Sequence, residues 1–190
     1  MKAIEDAIRA NCKVLPGDVL KIDHFLNHQI DVSLLSLGGE EFFRLFGDRG
    51  VNKILTVESS GIGIACITAL YFKCPVLYAK KIFGKNSDDV LYTASCYSYT
   101  KGIQYDISVS SKYLGPDDKV LIIDDFLAGG NALLAMIALC QRAGAEVVGC
   151  GTVVEKAYQG GGDKVRNMGI RVESLAKIAS MSPVDGIEFC

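Results

Sequence analysis

The sequence predicts an α/β domain built on a central, mainly parallel sheet flanked by helices, and three observations carry the prediction. A continuous apolar run, Val120-Leu121-Ile122-Ile123, leads through Asp124-Asp125 and a glycine-bearing turn into helical spacing from Ala132 to Ala143, which stops at Gly144. A second apolar stretch, Lys53 to Glu58, passes through Ser59-Ser60-Gly61-Ile62-Gly63 into an apolar helix reaching about Phe72. Each helix is followed by another apolar run, Cys74 to Ala79 and Glu146 to Glu155. Strands buried on both faces read as near-continuous apolar runs, and their alternation with helices implies parallel crossovers. Ligands of such sheets collect beyond the carboxyl ends of the strands, where Asp124 and Asp125 stand.

Taken in order, Lys2 to Asn11 has helical spacing with Ile4, Ala7 and Ile8 on one side, and Pro16-Gly17-Asp18 breaks it. Val19 to Ile22 begins an alternating segment. Phe25 to Asp31 is rich in amide and imidazole groups, which either cap local backbone or face a polar ligand. Leu34 to Phe46 carries an apolar face interrupted by Gly38-Gly39; each glycine costs about 1 kcal/mol relative to alanine in a helix interior, so a break or bend is expected there. The helix after Gly63 is apolar all round and is expected to be buried. Lys80 and Lys81 end the strand that completes a right-handed crossover. Phe83 to Ser111 holds two alternating runs, Tyr92 to Tyr99 and Ile103 to Val109, about Lys101-Gly102, which is a long hairpin. Gly115-Pro116-Asp117-Asp118 turns into the central strand. Gln159-Gly160-Gly161-Gly162 reads as a flexible turn, and Ile170 to Ala176 as a small edge strand. No internal repeat or long linker divides the chain, so 1–190 reads as one domain.

Composition narrows the class of partner. Twenty Lys and Arg against 22 Asp and Glu leave a formal charge of −2 on 190 residues. No global basic footprint for nucleic acid exists, so a small-molecule partner is expected. The seven cysteines are scattered without paired zinc-type spacing. Reduced, core-filling thiols in a cytoplasmic protein account for them. No apolar run is long enough to span a membrane, and Met1 to Leu15 lacks the apolar core of a signal peptide.

The chemistry of the central turn follows from its residue types. Gly129 and Gly130 allow close backbone approach, and the amides opening the next helix suit a phosphate. Ionised Asp124 and Asp125 are acceptors only, so they suit hydroxyls or a metal-bridged group. A sugar phosphate with a vicinal diol needs both. The lysine and glycine spacing of a nucleoside-triphosphate loop are missing. Taken alone, the stretch also fits a solvated turn with a helix cap, and Lys80, Lys81 and Lys156 also fit solvated surface positions.

The stretch from Ile122 to Ala132 closely resembles the signature of the type I phosphoribosyltransferases: a hydrophobic strand, two acids and a small-residue phosphate loop. The resemblance runs from Val19 to about Ala176. It includes Val19 to Asp31, Val57-Glu58-Ser59-Ser60-Gly61-Ile62, Glu155-Lys156 and Arg171 to Ala176, and is nearest to the bacterial members acting on xanthine. It implies that fold, with a small hood (about 14–31 and 156–190) and a flexible hairpin arm (about 82–111, Ser87-Asp88-Asp89 as its tip) that closes over the reacting centre. It implies transfer of 5-phosphoribosyl from phosphoribosyl pyrophosphate to xanthine, with Mg²⁺, by a cytoplasmic homodimer.

The family pattern places Leu20, Asn27 and Lys156 at the base, and His24 and His28 as structural. It places Asp124, Asp125 and Ala128, Gly129, Gly130, Asn131 and Ala132 at phosphoribosyl pyrophosphate. Ser59, Ser60, Gly61 and Lys81, with Lys80 beside it, fall at pyrophosphate, and Glu58 at loop orientation or metal-bound water. Hypoxanthine-guanine members carry an acid where this chain has Ala128, so no general base and no direct protein metal ligand is assigned. An adenine- or guanine-type enzyme and a regulator that senses phosphoribosyl pyrophosphate are the alternatives. Asn27 and Lys156 speak against the adenine type; the first 50 residues, without basic charge or a clear helix-turn-helix, speak against the regulator.

Overall fold

The computed structural model describes residues 1–82, 90–98 and 103–190. Ser87-Asp88-Asp89 and the Lys101-Gly102 turn therefore lie outside the described residues. Helix α1 (Lys2–Asn11) precedes the hairpin β1 (Lys13–Leu15) and β2 (Val19–Lys21), and α2 (Val32–Phe46) leads to the first central strand, β3 (Lys53–Val57). There follow α3 (Gly61–Phe72), β4 (Val76–Ile82), β5 (Leu91–Ser98), β6 (Ile103–Ser110), β7 (Lys119–Leu127) and α4 (Asn131–Ala143). The chain closes with β8 (Glu146–Lys156), α5 (Gly161–Arg166), β9 (Val172–Ser182) and β10 (Gly186–Phe189).

Eight strands form one sheet in the order β10-β9-β8-β7-β3-β4-β6-β5. The five from β9 to β4 run parallel. Antiparallel β10 covers one end, and the β5–β6 hairpin the other. The expected edge strand at Ile170 to Ala176 is thus β9, an interior strand continuing to Ser182. The mixed polar and apolar composition of residues 177–182 concealed the extension.

Period-two alternation along β7 explains the two cores. Val120 and Ile122 pack with Leu133, Met136, Ile137 and Cys140 of α4, while Leu121 and Ile123 pack with Leu35 and Phe42 of α2 and Ile64 and Ala65 of α3. Each fully buried Leu, Ile or Val stabilises the fold by roughly 1.5–3 kcal/mol. The α2 helix starts where the Asp31 carboxylate accepts the Leu34 amide at 3.0 Å.

Two further expectations are corrected. Helix α2 is continuous through Gly38-Gly39 because these residues mark close packing: a Cβ on Gly38 would stand 2.8 Å from Leu175 Cδ1, and one on Gly39 3.2 Å from Thr68 Cα. Helix α3 is buried on one side only. Ile64, Ala65, Thr68 and Ala69 face inward, whereas Cys66 is exposed and Leu70 is 76% exposed. An all-apolar helix has no polar stripe to reveal which face meets solvent. None of the described helices is long and apolar enough to cross a membrane.

Candidate active site

At the carboxyl end of β7 the chain passes through Ala128 and Gly129 to Gly130, which caps α4 with φ 86. A left-handed residue here needs no Cβ, and space also forbids one: it would lie 3.0 Å from the Gly161 carbonyl. The loop's carbonyls are turned into protein. Ala128 O accepts from Gly161 N at 3.1 Å, Gly129 O from Lys164 Nζ at 3.1 Å, and Gly130 O from Leu134 N at 2.9 Å. The opening amides of α4 have no partners within the helix, so the turn can cradle an anion. Asn131, assigned to the ligand from sequence, donates from Nδ2 to the Tyr97 carbonyl at 3.1 Å and so ties the loop to the arm strand β5.

Asp124 and Asp125 lie inside β7, before its last two residues, and are 3% and 8% exposed. Burial, then the neighbouring charge of Asp125, pushes the Asp124 carboxyl well above the usual carboxylate range, against the opposing Lys81 ammonium. Its Oδ1 accepts the Asp125 amide at 3.1 Å. The β3–α3 turn arrives alongside: a Cβ on Gly61 would collide with Thr56 Oγ1 and come within 2.9 Å of Asp124 Oδ1. The Glu58–Ser59 peptide in this turn is cis. Glu58 Oε1 accepts the Lys81 amide at 2.6 Å, which joins the turn to the end of β4.

Lysines 80 and 81 diverge, as consecutive strand residues must. Lys81 lies 5.5 Å from the Tyr105 ring, on the side facing Asp124, whereas Lys80 is exposed beside Tyr78 at 5.9 Å. Ser59, Ser60, Gly61, Lys81 and the two aspartates are thereby brought together. Among the described residues no three His, Cys, Asp or Glu side chains converge into a metal cage. Asp124 and Asp125 are adjacent buried carboxyl groups, a donor set that would suit a Mg²⁺ taking most of its ligands from substrate oxygens and water.

The base end is more dispersed. Lys156 ends β8 with 8% exposure, donates to the Asp18 carbonyl, and stands 6.0 Å from the Phe126 ring. Burial lowers its pKa, and the Asp18 carboxylate at 4.0 Å opposes that shift. Leu20 is buried in β2 at 7% exposure. Asn27, His24 and His28 are exposed in the segment leading to α2, whose Ile30 would meet a Cβ on Gly63 at 2.8 Å. That segment therefore overhangs the start of α3. Together these residues offer an apolar wall, an aromatic face and a buried cation, a set suited to a flat heterocycle with oxo groups.

Several site residues were not read from the sequence. Asp18 is one, since Pro16-Gly17-Asp18 signals only a turn. Phe126 and Tyr105 are others, indistinguishable from core aromatics. Glu155 is 1% exposed and receives Arg166 Nη1 and Nη2 at 3.0 and 2.9 Å, with Ser174 Oγ at 2.6 Å. Burial pushes its carboxyl up, but these bonds and the charges of Arg166 and Lys177 outweigh it and hold the group below its usual range. This network fastens α5 against β8, and α5 in turn backs the β7–α4 loop through Gly161.

Residues 41–173 match the phosphoribosyl transferase domain model. The xanthine phosphoribosyltransferase of Lachnoclostridium phytofermentans is 50% identical over 186 residues, covering 98% of this chain and 96% of that protein. That of Ligilactobacillus salivarius is 51% identical over 180 residues, covering 95% and 94%. Among solved structures, APRTase from Giardia lamblia complexed with 9-deazaadenine superposes with a TM-score of 0.77 at 26% identity, covering 92% of this chain and 97% of that one. A sheet whose strand ends gather a phosphate loop, paired aspartates and a second small-residue turn, matched over this span of sequence, establishes that the chain belongs to the phosphoribosyltransferase family.

Proposed function

We propose that the protein transfers the 5-phosphoribosyl group of 5-phospho-α-D-ribose 1-diphosphate to xanthine, releasing diphosphate and forming xanthosine 5′-monophosphate. The observation that carries this reading is half-identity, along nearly the whole chain, to enzymes named for xanthine; the buried ammonium of Lys156 at the base end supports it. The fold is shared with adenine enzymes and does not choose the base.

In the reaction a base nitrogen attacks the anomeric carbon while the bond to the diphosphate oxygen breaks, and positive charge grows on the sugar. The protein's part is orientation and electrostatics. Residues Ala128 to Ala132 hold the 5-phosphate through helix-opening amides. Asp124 and Asp125 accept from the ribose hydroxyls. The amides of Ser59, Ser60 and Gly61, with the Lys81 ammonium, receive the diphosphate, and Glu58 fixes Lys81 through its backbone. Mg²⁺, which would be held chiefly by substrate oxygens and water beside Asp124 and Asp125, would supply charge neutralisation at the diphosphate. Leu20 and Asn27 border the base, and Lys156 favours the anion of a readily ionised oxo-purine, which removes the need for a general base at Ala128. The arm strands β5 and β6 bring Tyr105 and Tyr97 to this centre. Closure of the arm excludes water from the activated sugar.

The same reading carries a cytoplasmic homodimer: α2 and α3 leave Leu37, Phe43 and Leu70 at 48%, 42% and 76% exposure, an apolar face for a second copy. Sedimentation velocity at micromolar concentration tests it, and a monomer at all concentrations refutes it. For the activity, purified protein is incubated with Mg²⁺, phosphoribosyl pyrophosphate and each of xanthine, guanine, hypoxanthine and adenine, with chromatography for nucleotide. Xanthosine monophosphate is expected to predominate. Predominant product from another base would retain the chemistry and overturn the substrate.

A further inference from the structure

We infer that Asp18 is a specificity-determining positioning residue: it holds Lys156 toward the oxo groups of the base and links that lysine to the strand carrying Leu20. The inference rests on the function proposed above and deepens it.

Asp18 lies in the turn between β1 and β2, 138 residues before Lys156. Register pairs Leu15 with Val19, which leaves Pro16, Gly17 and Asp18 to reverse the chain. Gly17 has φ 82 and Asp18 φ 63, so two consecutive residues are left-handed. A side chain is disfavoured in that region, and aspartate is among the few that visit it. In this posture both the carbonyl and the carboxylate of Asp18 reach the end of β8. The carbonyl accepts a hydrogen bond from Lys156 Nζ, and the carboxylate lies 4.0 Å from the same atom. Two further donors fix the carboxylate: Tyr158 Oη donates to Oδ1 at 2.5 Å, and Gln159 Nε2 donates to Oδ2.

This arrangement does more than close a turn. An ammonium has three donors, and one is directed to the Asp18 carbonyl, so the remaining two are left with fixed directions. Leu20 follows Asp18 by two residues, so a shift of the turn moves both walls of the base end together. The electrostatic consequence has a definite sign. Burial lowers the Lys156 pKa, and among the described residues the charge that opposes this is the Asp18 carboxylate. Tyr158, whose hydroxyl burial and Asp18 hold protonated, binds the same carboxylate, and the Phe126 ring stands 6.0 Å from the ammonium. Replacing the carboxylate with an amide lowers the lysine's pKa further, and its charged form is then lost at lower pH.

The test compares the whole enzyme with Asp18→Asn and Tyr158→Phe. The readouts are kcat/KM for xanthine and for hypoxanthine, KM for phosphoribosyl pyrophosphate, and the alkaline limb of the xanthine pH profile. Asp18→Asn keeps the carbonyl that accepts from Lys156 and removes only the carboxylate charge 4.0 Å from its Nζ, so it is expected to lower kcat/KM for xanthine about two- to fivefold, the scale of one partly exposed ion pair. The xanthine-to-hypoxanthine ratio falls and the alkaline limb moves to lower pH, while KM for phosphoribosyl pyrophosphate stays within about twofold, as expected for a loss confined to the base. Tyr158→Phe, which releases one tether of the carboxylate, moves the same quantities less and keeps the test available if Asp18→Asn does not fold. A wild-type base ratio with an unmoved alkaline limb in the folded variants overturns the inference. So does an equal loss for both bases and for phosphoribosyl pyrophosphate, which marks a purely structural tie. Failure of the parent reading shows separately, as a wild-type enzyme that prefers another base.

Discussion

At the proposed phosphate end of the site the consecutive residues Ala128 to Ala132 span the β7–α4 turn and the first residues of α4, whereas at the proposed base end Asp18 and Lys156 meet across 138 residues of sequence. The first is a local device whose amides come free with the start of a helix. The second exists only once the hood turn has docked on the end of β8. Substitutions at the phosphate end should therefore abolish turnover of every base, and those at the base end should change which base is used.

The most damaging way to probe this contrast is Asp124→Asn. Replacing a buried carboxyl group aimed at the ribose hydroxyls by an amide should lower kcat about 10²–10³-fold for all bases, measured by steady-state assay. The fold should respond in the opposite direction. Burial, with the charge of Asp125, raises this carboxyl in the native state. The native protein then holds a proton that the unfolded chain releases above about pH 3.9, so stability falls as pH rises through that window. In the asparagine variant that fall should be absent, and the neutral-pH Tm should be higher by roughly 2–4 °C for each kcal/mol relieved, read by thermal unfolding across pH.

Gly161→Ala comes next. Its Cβ would meet the Gly130 amide and the Ala128 carbonyl with no flexible atom to yield. Misplacing the loop by a fraction of an ångström should weaken phosphoribosyl pyrophosphate binding by about 10²-fold, visible by calorimetric titration. Unchanged binding would mean that α5 does not shape the loop.

Lys156→Met sharpens the other side. A loss of about tenfold in kcat/KM for xanthine, with less for hypoxanthine, is expected from one charge-assisted contact. If the ratio of the two rates stayed at its wild-type value, the lysine would not favour the xanthine anion. Smallest is Asn27→Ala, an exposed position, where KM for the base should rise about two- to fivefold, the scale of one neutral hydrogen bond. No change in KM would reduce the base end to Leu20, Lys156 and Asp18.

The contrast also explains what could be read from sequence. Asp124, Asp125 and the loop after them were legible because strand, acids, glycines and helix follow one another, and each residue type has one physical use there. The α/β architecture was legible for the same reason, through continuous apolar runs in β3, β7 and β8. Asp18 was not, because an aspartate after Pro-Gly is an ordinary turn residue until its distant partner is known. Gly38 and Gly39 misled, since a glycine that bends a helix and a glycine that admits Leu175 or Thr68 look alike along the chain. The extent of β9 and the exposed side of α3 were likewise hidden, because both depend on which neighbour covers an apolar surface.

The end of β8 carries a further consequence. Glu155 and Lys156 are adjacent in sequence, yet the pleat sends one toward Arg166 and Ser174 and the other toward Asp18. One codon thus maintains the platform behind the β7–α4 loop, while its neighbour is the residue proposed to address the base. On the proposed roles, mutation at position 156 alters base preference without passing through a chain that has lost its grip on the sugar phosphate. A lineage could in this way exchange one nucleobase for another in single steps, each intermediate still a working transferase.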